Sequence, residues 1–563
     1  MAEPTDIPAD RNLPVWAWPM LLALFVLLYI LPLGRRPMFV PDEMRYAEVP
    51  REMIASGDWV VPRLDGLRYF EKPVLGYWLT GLSMLVFGEN EFAVRLPSAL
   101  AAGLTGLLIF LLVSKISPGG KRAGPLAALI YLTCFEVAGV GTFAVLDTML
   151  TLFLTSTMYF SHVALTASPG TRRERAGLAA AGISCGLAFL TKGFLAFLVP
   201  SLALGGYLLW QRQGRELFRI ALVPLVFALL VALPWALDIA RREPDFWRFF
   251  FWNEHIRRFL AYNAQHRQPF WYFLVSAPVL ALPWSFVVPA ALPGLRSGSA
   301  GSTAIRDLIR FCLCWLLLPF LFFSVCKGKL LTYILPCFPP FAILLALGLV
   351  ENRLAHGCRR FLCGSSGAAL LFGLILSGFL GVELIGDTFR PYVKGESWFL
   401  IANALAAMVL FFLIAARCRR DLLRHVYFGL APVPLLFSLQ FAVPDQLLTV
   451  KAPGPMLERH CREIGAETII ISDDNPLRAV CWTFKRNDVY LLEQSGELAF
   501  GVQRENNGRR LLSIDRAGKM IALNRGRVVL IAERENYDRW QKSLPPPLLI
   551  DENGPNGFVL ARY

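Results

Sequence analysis

The chain has 563 residues, 55% hydrophobic and 17% charged, with a formal net charge of +14. Soluble globular proteins carry nearer ~25% charged residues, and apolar runs on the order of 20 residues recur along the first 440 positions. A soluble enzyme is thereby excluded, and the basic excess reads as membrane topology rather than as a nucleic-acid footprint.

Trp16–Leu33 lacks a basic leader and a small-residue cleavage site, so it is expected to persist as the first span. About thirteen spans follow from hydropathy, near 16–33, 92–114, 123–140, 145–166, 177–192, 194–210, 218–239, 271–292, 306–326, 329–349, 361–382, 398–417 and 423–441. Every second loop is short and basic, for example Arg172, Arg173 and Arg175, then Arg353, Arg359 and Arg360. By the positive-inside rule the N-terminus is cytoplasmic, and an odd span count leaves the tail outside.

Two long loops, 34–91 and 240–270, then fall on the outer face. The first reads as a helix over Asp42–Ala55, a turn at Ser56-Gly57-Asp58 and an apolar interfacial stretch from Pro73 to Phe87. The second, EPDFWRFFFWNEHIRRFLAYNAQHRQPFWYF, has the aromatic and Arg mixture of a re-entrant or surface-lying segment. Residues 1–443 form the expected transmembrane domain. From Pro444 the runs AETIIISDD, DVYLLEQ and GRVVLIAE read as strands, with helical stretches at Met456–Ile464 and Tyr537–Leu544. Residues 444–563 are therefore expected to form a small extracytoplasmic α/β domain. The eleven cysteines include no CxxC and no zinc-finger spacing; the odd number leaves at least one thiol, and pairing of Cys461 with Cys481 stays open.

Chemistry-bearing residues gather on the outer face. Asp42 and Glu43 open a predicted helix, where acidic side chains also serve its dipole. Lys72, Lys192, Lys327 and Lys329 stand where positive-inside statistics disfavour them, at or beside span ends. Simple snorkelling is one account of them; a lipid phosphate is the other, since phosphate would hold several cations at an interface. Asp147 in AVLDTML is a carboxylate at the outer end of a span, as a cap or as part of a site. Glu71 neighbours Lys72 as an ion pair, or joins His255 or His266 in holding a divalent cation.

The stretch DEMRYAEVPREMIASGDWVVPRLDGLRYFEKPVLGYWL closely resembles the first outer loop of the bacterial lipid A aminoarabinose transferases. These belong to the C-type glycosyltransferase superfamily, alongside the protein O-mannosyltransferases. LDT at 146–148, LTKG at 190–193, FWNEHIRRF at 251–259, PFWYF at 269–273 and KGKLLTYILP at 327–336 look like further blocks of that family, in the same order. The resemblance covers about the first 350 residues.

It implies an α-helical polytopic membrane protein of the C-type glycosyltransferase fold. It also implies transfer of 4-amino-4-deoxy-L-arabinose from undecaprenyl phosphate to a lipid A phosphate, on the periplasmic face of the bacterial inner membrane. Asp42 would be the acidic centre, with Asp147 beside it. Arg45, Lys72, Lys192 and Tyr333 would line the cavity; Lys327 and Lys329 join them as phosphate-binding candidates through their outer-face position alone. Glu71 and His255 would match a metal site for zinc or a similar divalent ion. The partners implied are the donor, the lipid acceptor and membrane lipids, with a monomeric protein. EKPVLGYW departs from close relatives at Val74 and Gly76, which leaves the sugar's identity open.

Other readings are another polyprenyl-linked sugar (galactosamine or a hexose), a protein Ser or Thr acceptor, a transporter or flippase, and a non-enzymatic scaffold for the tail. A line of ionisable groups through the bilayer midplane, which transport calls for, is missing from the sequence.

Overall fold

The computed structural model describes residues 16–115, 120–257, 266–351, 355–385, 391–393, 395–504 and 509–563. Among them, seven helices are long and apolar enough to cross a membrane, or up to nine if each of two bent pairs is one span. Shorter apolar helices, Ala17–Ile30, Leu75–Phe87 and Leu195–Trp210, take up further apolar runs.

Two stretches that read as single spans are broken. Arg122–Thr133 and Phe135–Gly141 meet at 64° beside Cys134, and Tyr272–Leu280 and Trp284–Ser297 meet at 95°. The second break contains Pro283, whose ring nitrogen has no hydrogen to continue a helical ladder. The predicted span near 423–441 is likewise two pieces, Asp421–Leu430 and Val433–Ser438, parted at Ala431-Pro432. Periodicity counts apolar residues but does not register these interruptions.

Close helix packing is set by small residues. Gly182 and Gly186 are one GxxxG step on the helix Arg172–Lys192, facing the helix Gly214–Arg242. A Cβ on Gly182 would stand 2.3 Å from the Pro224 carbonyl oxygen, and one on Gly186 would stand 2.7 Å from that of Ala228. Only glycine lets the backbones approach this far, which is how apolar helices gain van der Waals contact inside lipid.

The first long loop begins with the helix Asp42–Ser56, close to the predicted Asp42–Ala55. Gly57 ends it at φ 73°, donating its amide to the Met53 carbonyl. The start of this helix is held by Glu43, which has no exposed surface. Arg36 donates to Glu43 through Nη1 at 2.6 Å and Nη2 at 3.2 Å, and Arg95 through Nε at 2.7 Å and Nη2 at 2.9 Å. The backbone amides of Phe39 and Ala144 add donors at 3.1 Å each. Arg95 in turn donates to the carbonyls of Leu33, Arg36 and Pro37. The cluster thus fastens the first helix, the loop entrance and the 142–144 corner together. Burial by itself would push the Glu43 carboxyl up, but Arg95 and Arg36 outweigh it and hold the group at about 2.

A short hairpin follows, β1 (Arg63–Leu64) and β2 (Leu67–Arg68), antiparallel across Asp65-Gly66. Both turn residues have positive φ, 56° and 72°, as a two-residue hairpin of Asp-Gly type requires. Its tip is pressed into the C-terminal region: a Cβ on Gly66 would lie 2.9 Å from the Asn487 carbonyl oxygen. Asp65 is fully buried there, accepting the Val489 amide at 3.0 Å beside Arg510 at 3.3 Å.

The C-terminal region carries a six-stranded sheet of order β5-β4-β3-β6-β8-β7. Strands β3 (Ile469–Ser472), β4 (Tyr490–Leu492), β5 (Leu511–Leu512) and β6 (Val528–Glu533) run parallel. Strand β8 (Phe558–Arg562) is antiparallel to β6 and to β7 (Leu549–Glu552). The three β-branched runs picked out from sequence are β3, β4 and β6, while β5, β7 and β8 are short or lie beyond a Pro-rich turn. The helix Asp474–Phe484 lies between the sheet and the helix Asp42–Ser56, so this region packs on the first long loop. Cys461 and Cys481 are both free thiols.

Glu43→Gln keeps the shape but leaves two buried guanidinium groups without a counter-ion, at an expected cost of about 3–5 kcal/mol near neutral pH. The folded-state pKa lies below the unfolded one, so this stabilisation is present above about pH 4.5 and is lost as pH falls toward about 2. Melting in detergent should separate wild type from Glu43→Gln at pH 7 and bring them together through that acid interval. Equal melting at pH 7 would refute the assignment.

Candidate active site

A cavity of about 1090 Å³ opens where the first long loop meets the ends of several helices. Its polar lining is built by Asp42, Arg45, Glu71, Lys72, Asp147 and Lys192, among others. Its apolar lining includes Phe194, Leu195, Phe197, Leu198, Phe322 and Phe323. Tyr333 lines it as well, from the turn that follows Lys329.

Each polar group reaches the cavity for a local reason. Asp42 and Arg45 are one turn apart on the helix Asp42–Ser56, so they share a face while Glu43 points into the protein. The Asp42 side chain is 51% exposed, with Arg45 Nη2 at 3.5 Å from its Oδ1. Asp147 begins the helix Asp147–Leu165, and Lys192 ends the helix Arg172–Lys192 just before Gly193, whose φ of 81° turns the chain away. The two helices pack side by side, which brings Lys192 Nζ to 2.6 Å from Asp147 Oδ1. Lys192 Nζ also stands 5.2 Å from the centre of the Tyr333 ring. Lys72 donates to the Glu71 carbonyl at 2.9 Å, with the Glu71 carboxylate at 3.9 Å.

Lys327 and Lys329 line a second, smaller cavity of about 480 Å³, which shares Cys326 with the first. Lys329 is buried and donates to the backbone carbonyls of Gln268, at 2.9 Å, and Cys326. Val74 is fully buried, and a Cβ on Gly76 would overlap the Leu146 side chain at 2.1 Å. Neither residue is among those that line the cavity.

Among the described residues no three His, Cys, Asp or Glu side chains converge as a metal would require. The side chain of His255 lies outside the described residues. Glu71, the other expected ligand, stands beside an ammonium group.

Sequence reasoning missed Glu497. From the C-terminal region it accepts Arg45 Nη2 at 2.9 Å, the Tyr69 hydroxyl at 3.0 Å and Arg478 Nη2 at 2.9 Å. Nothing in QSGELAF announces this, because the contact joins residues far apart in the chain. Arg36 lies in the same predicted outer loop as Lys72, so the charge criterion that singled out the lysines applied to it as well.

Residues 15–250 match the dolichyl-phosphate-mannose-protein mannosyltransferase family, and residues 448–561 match the C-terminal domain of arabinosyl transferase ArnT. In fold, the chain is similar to the crystal structure of ArnT from Cupriavidus metallidurans bound to undecaprenyl phosphate. That likeness has a TM-score of 0.79 and 23% identity over 97% of this chain and 98% of the other. An undecaprenyl phosphate-alpha-4-amino-4-deoxy-L-arabinose arabinosyl transferase from Aeromonas salmonicida is 38% identical, covering 95% of this chain and 96% of its own. One from Edwardsiella ictaluri is 40% identical over 97% of this chain and 98% of its own. With such identity along nearly its whole length, this multi-pass membrane chain belongs to the undecaprenyl phosphate-alpha-4-amino-4-deoxy-L-arabinose arabinosyl transferase family.

Proposed function

We propose that the protein transfers 4-amino-4-deoxy-L-arabinose from undecaprenyl phosphate to a lipid A phosphate, at the periplasmic face of the inner membrane. The N-terminus is then cytoplasmic, about thirteen spans cross the bilayer, and the C-terminal sheet region is periplasmic. The observation that carries this reading is the arrival of Arg45, Lys72 and Lys192 in one cavity whose remaining lining is largely apolar. Such a cavity suits a ligand with an anionic head and a long hydrocarbon tail.

The chemistry follows from the charges. A phosphate monoester has a second pKa near ~6 and is largely dianionic at pH 7. An oxygen of the acceptor phosphate forms the new bond to the anomeric carbon, and the bond from that carbon to the donor phosphate oxygen breaks. The electron pair leaves with undecaprenyl phosphate, and no proton has to move. Arg45, Lys72 and Lys192 stabilise the charge that grows on the leaving phosphate. Asp42 needs no role as a base; its carboxylate orients the sugar and offsets positive charge developing at the anomeric carbon. A hydroxyl acceptor on a protein would need that base, which is why the acceptor's identity matters to Asp42. A divalent ion, were one held by Glu71 and His255, would supply further positive charge beside Lys72 for the leaving phosphate.

Asp42→Asn is expected to abolish nearly all transfer in membranes while the protein level is kept; substantial activity would remove Asp42 from the centre. Lys192→Met should raise the donor KM by roughly 10- to 100-fold, the worth of a charge-assisted hydrogen bond, and an unchanged KM would exclude it from phosphate binding. Mass spectrometry of lipid A from cells with and without the protein should show a gain of one pentosamine per modified phosphate. A hexosamine or hexose gain would replace the sugar, and label passing to peptide would replace the acceptor.

A further inference from the structure

The C-terminal region has no part in the chemistry above, yet one of its carboxylates touches a cavity residue. Arg45 is 7% exposed, and its Nε is buried without a hydrogen-bond partner among the described residues. Its Nη2 lies between Glu497 Oε1 at 2.9 Å and Asp42 Oδ1 at 3.5 Å. Glu497 Oε2 is engaged by Tyr69 and by Arg478, and Arg478 is 1% exposed with Nη1 donating to the Asp474 carbonyl at 2.7 Å. The carboxylate is therefore fixed from behind before it meets Arg45.

The backbone is shaped for this contact. Gly496, immediately before Glu497, has φ 43°, and a Cβ there would stand 2.0 Å from the Asp474 carboxylate. Past Glu497 the same segment grips both long loops. Phe500 packs on Phe70 at 5.4 Å and on Phe249 at 4.6 Å, and a Cβ on Gly501 would lie 2.8 Å from the Arg68 carbonyl oxygen.

Charge counting gives the contact a purpose. Without Glu497 the buried guanidinium groups of Arg45 and Arg478 would repel one another with no counter-ion between them. With it, and with Asp42 at 3.5 Å from Arg45 and Asp474 at 3.8 Å from Arg478, both guanidinium groups are compensated beside the cavity. The Glu497 carboxyl is held well below the usual carboxylate range, because Arg45 and Arg478 outweigh its burial. It is thus a fixed anion rather than a titrating one.

We infer that Glu497 is a positioning residue for the donor phosphate, holding Arg45 toward the cavity so that the C-terminal region completes the donor site. The inference rests on the donor reading given above. It assigns the C-terminal region a part in binding rather than a merely structural or tethering role.

The test uses the full-length protein in nanodiscs and measures binding of undecaprenyl phosphate itself, beside transfer kinetics and melting. Glu497→Gln, which keeps shape and removes charge, should weaken undecaprenyl phosphate binding and raise donor KM by about tenfold, while kcat stays within about threefold. Glu497→Asp should recover part of the loss. In an Arg45→Ala background Glu497→Gln should add nothing, since it acts through Arg45. Arg504→Ala, which breaks the exposed contact to Asp245 at 2.8 Å, should leave binding unchanged. Wild-type binding by Glu497→Gln, or an equal loss with and without Arg45, would overturn the inference while the donor reading stands. Failure of the wild type to bind undecaprenyl phosphate would overturn the donor reading, and this inference with it.

Discussion

The constraint on which the rest depends is a carboxylate with no exposed surface, Glu43, caught between two guanidinium groups. Taking three charges out of water costs several kcal/mol per ion, and the attraction offsets this only when nearly every donor and acceptor is used. Here six N–H groups reach Glu43, and Arg95 spends its remaining donors on three carbonyls. A network so fully satisfied admits one arrangement of the loop entrance. Asp42 is consequently delivered to the opposite side of the same helix turn, half exposed and facing the cavity. Two neighbouring carboxylates divide the work, one holding the scaffold and the other meeting the ligand.

The same logic extends outward from the first helix. Its turns face the C-terminal helix Asp474–Phe484, and the hairpin tip inserts Asp65 into that region. Burial raises the Asp65 carboxyl to about 8 even with Arg510 nearby, so this contact, unlike the Glu43 cluster, sits at the edge of ionisation. Close backbone approach at Gly66 and Gly501 and the packing of Phe500 dock the C-terminal region, together with the ion pairs of Arg504 with Asp245 and Lys485 with Glu89. Glu497 is the charge placed where the docked region meets the cavity.

How much of this could be read in the chain depended on range. Helix Asp42–Ser56 was readable from its acidic start and its Gly stop, both local signals. The strands β3, β4 and β6 announced themselves as β-branched runs, while the bends at Cys134 and Pro283 did not, because a broken span and a straight one have the same hydropathy. For the cavity, the cations were found through their improbability: Lys72 and Lys192 stand where charge bias disfavours them, and both line it. Lys327 and Lys329 met the same criterion but line the neighbouring cavity, since the criterion detects a face and not a position on it. Glu43 was read as a helix cap because its partners Arg36 and Arg95 lie on other elements. Glu497, hundreds of residues from Arg45, left no local trace at all.

The pairing of the cavity's cations bears on turnover. Lys192 holds Asp147, Lys72 sits beside Glu71, and Arg45 lies between Asp42 and Glu497. Each cation is thus kept in place and compensated by the protein itself, which avoids the cost of a bare charge in largely apolar surroundings. On the proposed reading the donor phosphate enters as a diester with one negative charge, and the product leaves as a monoester with nearly two. A site of unpaired cations would hold the product more tightly than the donor and stall after one transfer. Carboxylates standing beside every cation lower that difference, because the incoming phosphate must compete for groups already engaged. The acidic residues of the cavity then serve release as much as binding, which on this reading accounts for a lining with as many carboxylates as cations.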